Sequence, residues 1–226
     1  MNTASGLFSG KKKRALTRAD VEERIRLAGS STLVDLTGED LSEANLRSMI
    51  LNGVVFYRAN LWRADLSGAR LNKANLSGAD LNGARLNKAR LNGADLSGAR
   101  LDKARLNGVN LSGVNLSGAR LRGARLSGAN LIEADLSGTD LSETDLSRAN
   151  LSRANLSKTD LSRADLSSAV LQGANLEQII ANDACFRRAD LRAIPWLLLF
   201  ELMVTQPGAN FTGMQWDSPT EEENSP

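Results

Sequence analysis

Histidine is absent from this sequence, cysteine occurs once, and aromatic residues make up only 4% of the 226 residues. Without histidine, the side chain that most often acts as a general acid or base is missing. The lone Cys185 has no base to activate it and no second cysteine to pair with, which favours a reducing compartment. The sequence also lacks a Gly-rich phosphate loop and a cluster of metal ligands. We therefore predict no enzyme activity, no cofactor and no bound metal.

Long hydrophobic runs are missing as well. Residues 1–16 lack the apolar stretch of a signal peptide, and the most apolar segment, 196–204, is too short to cross a bilayer. We therefore expect a cytoplasmic protein. The ends carry opposite charge, because 1–16 reads as a flexible basic tail and 217–226 as an acidic tail. The basic run at 11–14 either solubilises the chain or contacts an anionic surface or nucleic acid.

The dominant feature of the sequence is a leucine at every fifth position from Leu41 to Leu191. The marked residue is Leu in 28 of these 31 units, with Phe56, Ala181 and Phe186 as the exceptions, and a small residue, usually Ala, stands two positions earlier. On a helix five residues advance by about 500°, so the leucines would spiral around the rod. In a continuous strand an odd repeat would send alternate leucines to opposite faces. Each repeat must therefore be a short extended piece followed by a turn.

The two residues after each leucine have turn chemistry. The first is mostly Ser or Asn, and the second is often Gly, as at Gly68 and Gly138. If Leu opens a β-turn, this Gly is the third residue, where a type II turn requires positive φ. Other residues replace it elsewhere, for example Lys88 and Glu143. Those corners are predicted to adopt another turn type.

Units of the form A-(D/N)-L-x-x, such as residues 64–68, resemble those of pentapeptide-repeat proteins, and residues 32–191 share the resemblance. The resemblance implies an all-β solenoid, a right-handed quadrilateral β-helix of about eight coils with four repeats per coil and with Leu and Ala pointing inward. Residues 20 apart then stack at the strand spacing of about 4.8 Å. Burial of each leucine contributes about 2 kcal/mol, which can hold one domain without disulfides. Long uninterrupted arrays of this kind resemble bacterial, especially cyanobacterial, members.

Short capping helices are predicted at both ends of the solenoid. Residues 17–31 form the first, because Thr17 can cap it and Gly29 can end it. Residues 192–216 hold the second, which starts after Pro195 and is apolar nearly all round. One side of this helix can cover the last coil, and the other side can pack against the same helix of a second subunit. The family resemblance agrees with this, since its topoisomerase-protecting members dimerise through C-terminal elements. The predicted dimer or cap contacts are Trp196, Leu199, Phe200 and Met203.

Seven outward positions carry Arg where the family pattern has Asp or Asn. We call them the Arg band: Arg70, Arg85, Arg90, Arg100, Arg105, Arg120 and Arg125. Stacking at 20-residue intervals distributes them over three faces. The band either solubilises the rod, tied to the Asp residues above and below it, or recognises an anionic group through the planar guanidinium fork. The fourth face keeps Asp and Asn, which should brace the backbone by local hydrogen bonds.

Aromatic residues are missing from the Arg band, which disfavours stacking on single-stranded nucleic acid. They cluster instead near the first coils, at Phe56, Tyr57 and Trp62. Tyr57 and Trp62 follow the inward position and are predicted to rest against the N-terminal helix in preference to forming a contact patch.

Three functional classes compete. The preferred one is a non-catalytic scaffold or interaction module that binds an unknown macromolecule along a rigid face, in the first place a protein with an acidic surface. Nucleic acid and anionic membranes are less favoured partners. The alternative is a DNA-mimicking regulator or protector of a type II topoisomerase (gyrase), a role known in the family, but a slightly basic rod with an uninterrupted repeat argues against it. An enzyme is the third class.

Overall fold

The structure is a computed structural model that describes residues 14–217. Most of the tails predicted at 1–16 and 217–226 therefore lies outside the described residues. Helix α1 spans Arg18–Ala28, a 3₁₀ turn follows at Ser31–Leu33, and helix α2 spans Trp196–Thr205. Neither helix combines the length and the hydrophobicity that a bilayer span needs.

Parallel β-bridges between residues 20 apart build the middle of the chain. The series starts with the pair Asp35 and Val55 and reaches Asp190, with four bridge positions in every 20 residues. Backbone N–H groups link each coil to the next, as in the bond from Leu61 to the Asp80 carbonyl at 2.7 Å. The coil is therefore four-sided, and the prediction of an all-β solenoid is confirmed.

A column of aliphatic side chains fills the inside of the coils. The marked position is buried in every unit from Leu36 to Leu191, including the units that carry Phe or Ala. Where Thr replaces the inward Ala, its hydroxyl bonds to a backbone carbonyl, as Thr139 does to Leu116 at 2.9 Å. Among the described residues no buried side-chain polar atom lacks a partner. The interior therefore leaves recognition to outward side chains.

All corners of the solenoid share one conformation, which contradicts the prediction that Gly and non-Gly corners differ. Gly68 and Glu143 both have positive φ, at 69° and 61°. Each is the third residue of a turn that the leucine two positions earlier opens, and only this third residue has positive φ, so the turn is type II. The prediction was wrong because Glu143 donates its N–H to Ser162 in the next coil at 2.9 Å. Bonds between coils hold a conformation that the side chain disfavours.

Helix α1 lies over the first coil. Thr17 and Asp20 form a capping box, and Gly29 ends the helix with φ of 73°, as the sequence predicts. Val21 is fully buried and belongs to the same hydrophobic cluster as the solenoid leucines. Leu16 donates its N–H to the carbonyl of Asp40 in the first coil at 2.6 Å.

Helix α2 takes the place of part of the last coil. Bridges resume after it, but they join Cys185 to Asn210 and Asp190 to Gln215, five residues later than the repeat requires. Phe186 stacks on Phe211 with the ring centroids 5.0 Å apart. Two repeat units within residues 209–216 thus continue the solenoid beyond residue 191.

Candidate functional site

The Arg band lies on the three faces predicted for it, and all seven side chains are exposed. The column on the first face, called the Arg105 column, contains Asp65, Arg85, Arg105, Arg125, Asp145 and Asp165. The column on the adjacent face, called the Arg100 column, contains Asn60, Asp80, Arg100, Arg120, Asp140 and Asp160. Arg70 and Arg90 are joined by a parallel β-bridge on the third face.

Ion pairing divides the Arg band into two groups. Three members have a carboxylate nearby: Arg85 with Asp65 at 3.9 Å, Arg100 with Asp80 at 3.7 Å, and Arg120 with Asp102 at 3.1 Å. Within residues 14–217 the other four form no ion pair, namely Arg70, Arg90, Arg105 and Arg125. Exposed pairs of this kind contribute about 0–1 kcal/mol each, so the band adds little to the stability of the fold.

Asp and Asn at the outward position have a structural task that Arg cannot perform. Their Oδ1 atom accepts the N–H of the residue two positions later, as Asp65 does from Ser67 at 3.0 Å and Asn115 from Ser117 at 3.1 Å. This local bond satisfies the first N–H of the turn. Arg has no acceptor atom, so every Arg unit loses it.

A bond between coils replaces the lost cap in most Arg units. Arg is typically followed by Leu-Asn where Asp and Asn are followed by Leu-Ser. The Asn side chain accepts the turn N–H one coil further on, as Asn72 does from Asn92 and Asn87 from Asn107, both at 3.2 Å. Five of the seven Arg units donate a bond of this kind, four of them to an Asn side chain and that of Arg122 to Asp102; the donors are Asn72, Asn92, Asp102, Asn107 and Arg122. In these five units the turn N–H has an acceptor although the outward residue is Arg.

The fourth face behaves as predicted. Asn115 donates from Nδ2 to Asp95, and Asn155 does the same to Asp135, each at 3.2 Å. These bonds link adjacent coils, while Oδ1 of Asp95 also caps its own turn by accepting from Ser97. Asp and Asn therefore brace the backbone on this face.

A groove follows the corner between the Arg100 and Arg105 columns, and we call it the corner groove. Its volume is about 590 Å³. Arg63, Lys103 and Glu143 project from alternate coils, and Gly83 and Gly123 leave notches between them. The sequence did not reveal the groove, although Gly and charged residues alternate at 20-residue intervals along this corner.

The carboxylates that line the corner groove are already paired. Glu143 accepts a hydrogen bond from Arg122 at 2.7 Å, which lowers the pKa of this carboxyl and raises that of the guanidinium. Asp102 accepts from Arg120 at 3.1 Å. Lys103 has no ion-pair partner among the described residues, so the groove keeps a positive character.

Trp62 stands at the N-terminal end of the corner groove. Its ring is stacked under the guanidinium of Arg63, which lies 4.3 Å from the ring centroid, and Tyr57 carries Arg58 in the same way at 4.9 Å. The two rings are 38% and 36% exposed. They lie against their neighbouring Arg side chains, and their contact with the N-terminal helix stays a prediction.

The four predicted contacts of helix α2 point in different directions. Leu199 is buried against the coil, and Trp196 is half-buried and stacks on Trp216 with centroids 4.9 Å apart. Phe200 and Met203 are exposed. Leu199 therefore serves the cap, and only the exposed pair is free for a second subunit.

Comparison with known proteins identifies the architecture. Residues 40–193 match the family described as pentapeptide repeats. HetL, a pentapeptide-repeat protein involved in heterocyst differentiation regulation in the cyanobacterium Nostoc sp. strain PCC 7120, is 36% identical, with 80% of this chain and 82% of HetL covered and a TM-score of 0.41. A pentapeptide-repeat protein of the Arabidopsis thaliana thylakoid lumen is 37% identical over 42% of this chain and 66% of its own, with a TM-score of 0.41.

A third structure is similar in fold alone. QnrB1, a plasmid-mediated fluoroquinolone resistance protein, is 20% identical, with 73% of this chain and 80% of QnrB1 covered and a TM-score of 0.54. No curated protein sequence matches the chain. The match over residues 40–193 and the identity to HetL show that this chain belongs to the pentapeptide-repeat family, whose fold is the right-handed quadrilateral β-helix.

Proposed function

We propose that the protein is a non-catalytic scaffold that binds an acidic surface of a partner protein along the Arg105 and Arg100 columns. The observation that carries the proposal is that a side chain of the neighbouring coil caps the turn in the units of Arg100, Arg105 and Arg120, so these units do not need Asp or Asn at the outward position. Arg105 and Arg125 in addition have no carboxylate partner among residues 14–217. Their backbone positions lie about 5 Å apart on one face, from which the guanidinium groups can make bidentate contacts with carboxylates.

The proposal is tested by changing Arg85, Arg105 and Arg125 to Asn together. We expect the melting temperature to stay nearly unchanged and binding of the partner, captured from native lysate with the unaltered protein, to be lost. The matched control changes three other exposed cations to Asn, at Lys73, Arg153 and Lys158, and it should retain binding. Equal capture of the partner by the triple Arg variant and by its control would show that the band is only a solvated surface.

Interaction with a type II topoisomerase is the second candidate. Acidic side chains on two adjacent faces support it, since Asp140 and Asp160 stand beside Asp145 and Asp165 in the C-terminal coils. A patch of this kind could imitate a short stretch of DNA phosphates. A supercoiling assay with purified gyrase tests it, and absence of both protection and inhibition at micromolar protein would remove this candidate.

Homodimerisation through helix α2 is the third element of the proposal. Leu197, Phe200, Met203 and Val204 leave an apolar surface in water, with Leu197 77% exposed. Sedimentation analysis should show a dimer that Leu197→Ser with Phe200→Ser converts to a monomer. A monomeric unaltered protein at micromolar concentration would contradict it. We also propose a cytoplasmic location, in agreement with the free thiol of Cys185.

A further inference from the structure

We infer that the corner groove binds an extended acidic segment of the partner, about six residues long, with an apolar residue over Trp62. The inference deepens the proposed function by assigning the contact to one groove and the partner to one kind of chain segment. It rests on that function, since the Arg100 and Arg105 columns lie on the two faces that meet at this corner.

The length of the corner groove determines the length of the segment. The groove reaches from Trp62 to Glu143, which are four coils apart. At about 4.8 Å per coil this is roughly 19 Å, and an extended chain rises by about 3.3 Å per residue. About six residues therefore fill the groove. Gly83 and Gly123 lie along its floor, where the absence of side chains lets a second backbone approach closely.

The charge of the corner groove calls for carboxylates on the ligand. Lys103 lines the groove, and it has no ion-pair partner among the described residues. Arg105 and Arg125, which also have no ion-pair partner there, lie on one of the two faces that meet at this corner. The two acidic residues in the lining are neutralised by Arg120 and Arg122 of the same chain. An acidic segment would meet these unpaired cations without displacing an existing pair.

Trp62 adds a site for an apolar residue at one end of the corner groove. The guanidinium of Arg63 covers one side of the ring and holds it in place, and 38% of the residue stays exposed. A rigid, half-exposed ring can contact an aliphatic or aromatic side chain with little loss of conformational entropy. One aromatic ring next to a charged groove thus sets the direction in which the segment runs.

Nucleic acid fits the corner groove less well than an acidic peptide. The carboxylate oxygens of Asp102 and Glu143 in the lining can accept N–H groups of a peptide backbone, which a nucleic-acid backbone does not offer. Binding of single-stranded nucleic acid also relies on several stacking platforms, and the groove lining contains one aromatic ring.

The test fills the corner groove without disturbing the fold. Gly123 has φ of 64°, and Glu143 one coil further along the same corner has φ of 61°, so the backbone accepts a glutamate there. Gly123→Glu is compared with Gly113→Glu, which makes the same change on the diagonally opposite corner, where no atom lies within 4 Å of an added Cβ. Gly123→Gln separates the shape of the added side chain from its charge.

The probe is a fluorescein-labelled hexapeptide of five glutamates and one leucine, with leucine at either end, and its all-glutamine counterpart serves as the neutral reference. In fluorescence anisotropy at low salt we expect Gly123→Glu and Lys103→Glu each to weaken binding of the glutamate peptide about tenfold or more. Gly123→Gln should weaken it less, and Gly113→Glu should change it less than about twofold. The glutamine peptide should not bind.

Each contrary outcome has a definite meaning. Unchanged binding in Gly123→Glu would overturn the groove assignment. Tighter binding of a single-stranded 12-mer DNA that competes with the peptide would overturn the assignment of an acidic peptide segment as the ligand. If the captured partner is lost with the triple Arg variant but kept by Gly123→Glu, the groove is wrong while the proposed function stands. If the partner is lost with Gly123→Glu but kept by the triple Arg variant, the groove stands and the role of the Arg105 column is wrong.

Discussion

The outward residue of each repeat determines how the next turn is held. Asp or Asn caps the turn locally, whereas Arg leaves the turn N–H to an Asn side chain of the previous coil, as in the bond from Asn107 to Asn87. Two different acceptors thus serve the same donor. In five of the seven Arg units this second acceptor compensates for the loss of the local cap.

This exchange predicts coupling between Asn87 and Arg105. Asn87→Ala removes the acceptor for the N–H of Asn107 and should destabilise the protein by about 1 kcal/mol. In the Arg105→Asn variant, the asparagine introduced at position 105 caps the turn. The Asn87→Ala change in this background should therefore lower the free energy of unfolding much less. Urea denaturation of the two single variants and the double variant measures the coupling, which we expect to be about 0.5–1 kcal/mol. Additive effects would show that the inter-coil bond does not replace the local cap.

The corner is the element that sequence reasoning misjudged. Gly at the third turn position suggested a type II turn, and its replacement by Lys, Arg or Glu suggested another turn. Within residues 14–217, eighteen non-Gly residues nevertheless have positive φ, because bonds to the coils above and below impose it. Local propensity could not reveal this, since the constraint comes from residues about 20 positions away in the chain.

The cost of a side chain at a corner should depend on its surroundings. Gly138 has no atom within 4 Å of an added Cβ, whereas a Cβ at Gly53 would lie 2.9 Å from Cγ2 of Thr32. Gly138→Ala should therefore lower the free energy of unfolding by about 1 kcal/mol, the cost of positive φ alone. Gly53→Ala should cost clearly more, because the 3₁₀ turn must also shift. Thermal denaturation checks the difference, and equal effects would mean that the 3₁₀ turn yields freely.

Helix α2 divides into a face that holds the coil and a face that does not. Leu202→Ala should destabilise the protein by about 2–5 kcal/mol, since Leu202 is only 4% exposed. Phe200→Ala should leave the monomer nearly unchanged, because that side chain is 51% exposed. Urea denaturation at protein concentrations below the dissociation constant of any dimer separates the effect on the folded monomer from the effect on dimerisation. A large loss for Phe200→Ala under these conditions would show that Phe200 packs within its own chain.

At the scale of the whole molecule, the five-residue period placed the Arg band correctly on three faces once it was combined with the four repeats per coil that the family resemblance implies. Columns such as Arg85, Arg105 and Arg125 follow directly from stacking at 20-residue intervals. The insertion of helix α2 within the last coil could not be predicted, because the period alone does not say where the chain rejoins the stack. The Trp62 stack and the corner groove also depend on side chains of several coils, which a single repeat does not show.

The strongest perturbations of carboxyl pKa lie at opposite ends of the rod. Asp20 in the first turn of helix α1 accepts two hydrogen bonds from Arg14 and others from Thr17, and its pKa is held well below the usual value. Asp190 near the last coil accepts from Arg192 and Gln172, and its pKa falls to about 2. In a solenoid each coil contacts only its neighbours, so weakening an end does not directly weaken the middle.

Acid should therefore open the rod from its ends. A carboxyl group with a lowered folded pKa stabilises the fold fully above its unfolded value of about 4, and for Asp190 this stabilisation is lost as the pH falls towards 2. Hydrogen exchange with mass spectrometry, corrected for intrinsic rates, should show protection falling first at residues 18–28 and 190–216 and later around 101–126. Asp190→Asn should remove most of this pH dependence at the C-terminal end and leave the N-terminal end unchanged. Simultaneous loss of protection along the whole rod would mean that the coils unfold as one unit and that charge at the ends does not determine where acid acts.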